Sequence, residues 1–250
     1  MKWVRYEYEE KISYGFIRGE TIVQTEGLPY ENAKQTGQLI PLAAVNLLAP
    51  CEPSKIVCVG LNYIDHAKEM GITLPAEPLL FIKPSTSVIG TGDYILYPEF
   101  TQNLHYEGEL AVVIKSMCKN VKKESALEYV LGYTCANDVT ARDLQKKDIQ
   151  VTRAKSFDTF CPLGPYIETE FDCFKADIKT FLNGKTVQSS NINQLIFTVP
   201  QMIEYISQVM TLQAGDVILT GTTSGVGSMQ KGDKVVVAIE GLGNLENTIL

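Results

Sequence analysis

A β-rich α+β fold is what this sequence predicts. Three observations lead there: short strand-like runs recur along the chain, helical patterns are few, and strands do not alternate regularly with helices as in a doubly wound sheet.

The first strand-like runs are Trp3-Val-Arg-Tyr-Glu-Tyr8, Tyr14-Gly-Phe-Ile17 and Thr21-Ile-Val23, the last two separated by a glycine-containing turn at Gly19. They predict a small β-rich N-terminal domain over residues 1–50. Leu48-Ala-Pro-Cys-Glu-Pro-Ser54, with two prolines, reads as a linker into the strand Lys55-Ile-Val-Cys-Val-Gly60 and a main domain over 51–250. Further strands are expected at Tyr94-Ile-Leu-Tyr97, Leu110 to Ile114, Val130 to Thr134, Asp216 to Thr220 and Lys234 to Ile239. The clearest helix follows Thr198, an N-cap with Pro200 in the first turn; it carries Met202, Ile206, Val209 and Met210 on one face and ends before Gly215.

Composition removes several functions. Lys plus Arg number 22 against 29 Asp plus Glu, a net charge of −7, with no basic cluster to follow a phosphate backbone, so nucleic acid is not an expected partner. Cys51, Cys58, Cys118, Cys135, Cys161 and Cys173 form no C-x-x-C pair and read as reduced thiols. The segment Met1 to Lys11 lacks the apolar stretch of a signal peptide. Leu39 to Pro50, the most apolar stretch, is shorter than the roughly 20 residues that cross a bilayer. A cytoplasmic protein without a membrane partner is expected. An acidic protein that handles an anionic substrate needs local positive charge, which a bound divalent cation supplies.

The two histidines lie beside carboxylates. In Leu61-Asn-Tyr-Ile-Asp-His-Ala-Lys-Glu-Met70, a helix capped by Asn62 or Asp65 puts His66 and Glu69 three residues apart on one face. Such a pair suits a water-activating base, and the spacing also fits a surface helix with an incidental pair. His105-Tyr-Glu-Gly-Glu-Leu-Ala-Val-Val-Ile-Lys115 reads as one strand, with His105, Glu107 and Glu109 on one face. Adjacent carboxylates call for a positive charge between them, and their hard oxygens suit Mg²⁺, Ca²⁺ or Mn²⁺; a solvated acidic edge strand is the alternative. Asp138, at the end of another strand, offers a third ligand or an ordinary turn. Lys155 falls in a loop-like stretch from which it could stabilise an enolate. Thr220-Gly-Thr-Thr-Ser-Gly-Val-Gly227 lacks the lysine of a P-loop and the glycine spacing of a dinucleotide fingerprint, which leaves a tight loop bringing backbone amides and Thr222 near a ligand.

In order, these segments resemble the fumarylacetoacetate hydrolase family from about Lys55 to Asn247. The set is Gly60-Leu-Asn-Tyr63 with His66 and Glu69, Phe81-Ile-Lys-Pro84, Glu107-Gly-Glu109, Asn137-Asp-Val-Thr-Ala-Arg-Asp143, Lys155-Ser-Phe-Asp158, Asn183-Gly184, and Thr220-Gly-Thr222 with Gly225-Val-Gly227. The nearest branch is that of the bacterial 2-hydroxyhepta-2,4-diene-1,7-dioate isomerases and acylpyruvases. The resemblance implies a mixed β-sandwich or roll as catalytic domain, paired as a homodimer. It implies Mg²⁺ or Mn²⁺ at Glu107, Glu109 and Asp138, a lid pair His66 and Glu69, an active-site Lys155, and Arg142, Gln145 and Thr222 near the substrate. The expected substrate is a small anionic 2-oxo or diketo acid, with hydrolytic carbon–carbon cleavage put first. Decarboxylation of the oxaloacetate type and dienedioate isomerisation are alternatives on the same site, and a non-catalytic binding protein is a more distant one. The chain departs from its relatives at Asp148-Ile-Gln-Val151, at Thr223 in place of a proline, and at Asn191-Ile192. These differences bear on substrate identity and leave the acids and the His–Glu pair intact.

Overall fold

The computed structural model describes residues 1–250 and is β-rich, with three sheets and four short α-helices. The largest sheet has 12 strands. Its main path runs Lys34–Pro41, Thr21–Glu26, Lys11–Arg18, Lys2–Tyr8, Cys161–Glu168, Val130–Asn137, Gly108–Ile114, Val217–Thr222, Ile56–Gly60 and Leu79–Lys83. The N-terminal strands therefore continue the sheet that carries the acids, with Lys2 opposite Glu168 and Trp3 opposite Ile167. A five-stranded sheet packs across it, in the order Lys185–Asn191, Asp177–Leu182, Lys234–Ile239, Gly243–Ile249 and Tyr94–Ile95. The third sheet joins Thr140–Ala141, Leu104–Tyr106 and Gly227–Met229.

Gly108–Ile114 is buried along its whole length, which explains its unbroken apolar run. Leu110, Val112 and Ile114 enter a cluster of 26 buried residues shared with Ile178, Val237 and Leu245 of the five-stranded sheet and with Met202, Ile203 and Ile206. Ala111 and Val113 face a second cluster with Cys58, Cys161 and Leu219. Alternation along one strand thus feeds two cores. All six cysteines are free and buried. No helix is long and apolar enough to cross a membrane.

The helix Val199–Val209 begins as its sequence predicts, with Thr198 and Gln201 forming a capping box and Pro200 in the first turn. Its buried face is Val199, Met202, Ile203 and Ile206. Val209, expected among them, is 57% exposed because it is the last helical residue, and Met210 already lies beyond the helix.

Three local expectations are corrected. The strand expected at Tyr94 to Tyr97 pairs over Tyr94–Ile95 only. The run from His105 is two strands, Leu104–Tyr106 in the three-stranded sheet and Gly108–Ile114 in the large one. The chain changes sheet at Glu107, whose N–H donates to Asn137 Oδ1 at 2.9 Å and whose carbonyl accepts from Asp138 N–H at 2.8 Å. The helix holding His66 is Ile64–Met70, and its N-cap is Tyr63, neither Asn62 nor Asp65.

Asn62 instead locks the turn before that helix. Fully buried, it accepts from Phe197 N–H at 2.7 Å and donates to the carbonyls of Phe197 at 3.1 Å and Thr220 at 2.8 Å. Asn62→Ala leaves these three backbone groups without a partner. The expected loss is about 3 kcal/mol or more, a fall of about 6–12 °C in the thermal midpoint. A midpoint equal to wild type in a melting scan would contradict this role.

Candidate metal centre

Glu107 and Glu109 leave the start of Gly108–Ile114, and Asp138 follows the last residue of Val130–Asn137 on the neighbouring strand. One carboxylate oxygen from each lies within 4.8 Å of the others, and all three side chains are buried. Glu107 and Glu109 share the site although no single strand runs through both.

Three cations stand around the acids. Lys155 Nζ donates to Glu107 Oε2 at 2.9 Å and to Asp138 Oδ2 at 2.6 Å. It ends a single helical turn, Thr152–Lys155, and is 2% exposed, which corrects the loop-like reading. Lys83 Nζ donates to Asp138 Oδ1 at 2.5 Å and to the Val139 carbonyl at 3.1 Å. Arg142 Nη2 pairs with Glu107 Oε1, and its Nη1 donates to Gln145 Oε1 at 2.5 Å. Lys83 lies in the motif Phe81-Ile-Lys-Pro84, which by itself gives it no role. The available signal was a lysine inside an apolar strand, and the structure inverts that strand: Lys83 is fully buried while Leu79 and Ile82 are exposed.

These neighbours divide the acids electrostatically. Burial pushes Glu107 up, but Lys155 and Arg142 outweigh it and bring its pKa down to about 2. Burial pulls Lys155 down, but Asp138 and Glu107 outweigh it and hold its ammonium above the ordinary lysine value. Glu109 has no cation of its own. Burial first, then Asp138 and Glu107, raise its pKa well above the ordinary carboxylate value. Only Gly221 N–H, donating to Oε2 at 2.6 Å, meets its carboxylate. Three hard-oxygen ligands, one of them short of positive charge, fit a divalent cation such as Mg²⁺ or Mn²⁺.

The His66–Glu69 pair forms, with Nδ1 3.1 Å from Glu69 Oε2. Gly225 N–H donates to both Glu69 oxygens, at 3.1 and 3.2 Å. Asp65 accepts from the Ser190 hydroxyl and from His66 N–H. The helix is thereby fastened through Gly225 to the loop that follows Thr222, and through Ser190 to the strand Lys185–Asn191. Thr222 stands opposite Glu109 in the ladder, and its hydroxyl donates to the Gly108 carbonyl at 3.0 Å. The Thr222 proton is thus already committed, and its oxygen accepts from Gln188 Nε2 at 2.9 Å.

His105 does not join the acids. Its Nδ1 accepts from Arg142 Nε at 3.4 Å, so its Nε2 carries the proton and donates to Asn103 Oδ1 at 3.0 Å. Burial, then the Arg142 charge, lower its pKa to about 4. An unfolded histidine titrates near the ordinary 6.5, so between these values the unfolded chain binds the extra proton. Stability is therefore expected to fall as pH drops from 6.5 to about 4, and His105→Gln to flatten that part of the curve. An unchanged slope of thermal midpoint against pH in the variant would assign the effect elsewhere.

Residues 55–250 match the family model described as fumarylacetoacetate (FAA) hydrolase C-terminal, and residues 1–50 match the Rv2993c-like N-terminal model. The chain is similar to the solved 2-hydroxyhepta-2,4-diene-1,7-dioate isomerase from Mycobacterium marinum, at 42% identity and a TM-score of 0.94 over 100% of this chain and 98% of that one. It is similar to maleylpyruvate hydrolase from Sphingobium sp. SYK-6 at 29% identity and a TM-score of 0.83, over 100% and 99% of the two chains. Oxaloacetate tautomerase fahd2, mitochondrial, of Xenopus laevis is 41% identical over 246 residues, 93% of this chain and 76% of that protein.

Proposed function

The chain belongs to the fumarylacetoacetate hydrolase family, and we propose that it is a divalent-metal enzyme interconverting the keto and enol forms of a small anionic 2-oxo acid of the oxaloacetate kind. The observation that carries this reading is the meeting of three buried carboxylates with a buried lysine, beside a His–Glu pair tied to the loop that follows Thr222. Glu107, Glu109 and Asp138 would hold the metal, which supplies Lewis acidity toward a carbonyl oxygen.

The protein's own groups do the rest. With Nδ1 held by Glu69, His66 presents Nε2 as the base that moves the proton beside the carbonyl. Lys155 sets a fixed positive charge where the enolate oxygen gathers negative charge. A guanidinium has five N–H donors. His105, Gln145 and Glu107 take one each from Arg142, so two remain to meet a substrate carboxylate. Gln145, held by Arg142, edges the same place. This is local positive charge on a chain of net −7.

Relatives at 41% and 42% identity are named a tautomerase and an isomerase, and relatives at 37% and 29% hydrolases. That order favours proton transfer. Hydrolytic carbon–carbon cleavage of an acylpyruvate, put first on the sequence alone, is the second reading, favoured by a His66–Glu69 pair equally suited to activate water. Decarboxylation needs the same enolate and no base. The proposal includes a homodimer, on the family resemblance, which sedimentation would test.

Metal-stripped protein incubated with oxaloacetate, acylpyruvates and a hydroxy-dienedioate, with and without Mg²⁺, separates the readings by NMR of the products. Mg²⁺-dependent approach to keto–enol equilibrium or a shifted double bond is expected. Cleavage to pyruvate and an acid would move the assignment to a hydrolase, and no turnover despite bound metal would favour a binding protein.

A further inference from the structure

The strand Lys185–Asn191 lies at the edge of the five-stranded sheet and contributes no acid to the cluster. Its Gln188 is 2% exposed and reaches the large sheet. Oε1 accepts from Gly108 N–H at 3.0 Å, and Nε2 donates to Thr222 Oγ1 at 2.9 Å and to the Thr223 carbonyl at 3.0 Å. The partners fix which end of the amide is which, since an N–H only donates and a carbonyl only accepts.

Gly108 is the one residue between Glu107 and Glu109. Gln188 holds its N–H, the Thr222 hydroxyl holds its carbonyl, and Thr180 backs its Cα so closely that a Cβ would stand 2.2 Å from Thr180 Oγ1. Gly108 stands opposite Asn137 in the ladder on one side, but on the side of Val217–Thr222 the register slips between Glu109 and Ala111, and there the side chains take over. Rotation about the Gly108 backbone would swing the two carboxylates relative to each other.

The structure assigns Gln188 a positioning role: by holding the Glu107–Gly108 peptide while Thr222 holds the Gly108–Glu109 peptide, it sets the spacing of Glu107 and Glu109 that a divalent cation requires. This rests on the reading of those acids as a metal site. Gln188 acts through the peptide and touches no reacting atom.

The test is Mn²⁺ alone, titrated into metal-stripped protein well below its unfolding midpoint and followed by the EPR signal of free Mn²⁺. Gln188→Met keeps length and volume while losing both ends of the amide. It is expected to weaken Mn²⁺ binding by about 10–100-fold, as loss of an outer partner of a ligand does. Thr222→Val is expected to weaken it similarly, and Thr222→Ser, which keeps the hydroxyl, to bind as wild type does. The double variant Gln188→Met with Thr222→Val should bind no worse than the weaker single one, since both hold the backbone of one residue and Gln188 donates to Thr222 itself. Wild-type affinity in folded Gln188→Met and Thr222→Val, with only the thermal midpoint lowered, would reduce both to structural residues and overturn the assignment. If Gln188→Met does not fold, the contrast of Thr222→Val with Thr222→Ser decides the same question. Absence of Mn²⁺ binding in the wild type would remove the metal reading itself, a result distinct from an unchanged affinity in the variants.

Discussion

Glu107→Ala is expected to lower metal-dependent turnover on the order of 10³-fold or more, because it removes a proposed metal ligand and unseats two cations together. Lys155 and Arg142 bring the pKa of Glu107 down to about 2, and Glu107 is their shared partner. Without it Lys155 keeps Asp138 alone, and Arg142 loses the contact that aims its guanidinium. Glu107→Gln separates charge from shape. It keeps the side-chain volume, and the same collapse of activity is expected with the fold preserved by circular dichroism. Turnover within tenfold of wild type, in a variant that binds metal normally, would show that Glu107 is only a structural partner of Lys155.

His66→Ala is expected to divide the reactions that the family's members perform. Proton transfer at carbon and activation of water both need a base, and the loss of a positioned one costs about 10²–10⁴-fold. Decarboxylation of oxaloacetate needs the stabilised enolate and no base, so it should persist while tautomerisation collapses. Glu69→Gln should follow in the same direction with a smaller effect, since Gly225 N–H can still hold the amide oxygen but the charge that orients His66 is gone. Equal loss of decarboxylation and tautomerisation in His66→Ala, with metal still bound, would contradict this division of labour.

Much of the fold could be read from local pattern. The capping box at Thr198, the apolar run through Gly108–Ile114 and the hairpin turn at Asn183-Gly184, both residues at positive φ, are written in neighbouring residues. The break at Glu107 could not be read that way, because it depends on Asn137 capturing Glu107 N–H from another strand. Val209 misled for a related reason: helical periodicity gives the direction of a side chain but not where the helix outruns its packing partner.

The candidate site was legible in the same uneven manner. The acids and the His–Glu pair are close in sequence or follow a motif in order, and geometry brings each set together. Lys83 and Gln188 escaped, and His105 stands with Arg142 rather than with the acids, because their importance lies in what they touch across the fold, Asp138, Gly108 and Arg142 respectively. A buried lysine in an apolar strand and a glutamine in a polar edge strand look ordinary until their partners are known.

The central claim is metal-dependent formation of an enolate at Glu107, Glu109 and Asp138 with His66 as base. Deuterium entry at C3 of oxaloacetate in D₂O, followed by NMR with metal-stripped protein before and after addition of Mg²⁺, tests it most directly. The account predicts exchange far above that of Mg²⁺ in buffer, present only when protein and Mg²⁺ are together and lost in His66→Ala. Exchange that survives in the metal-stripped protein, or none with Mg²⁺ bound, would contradict it.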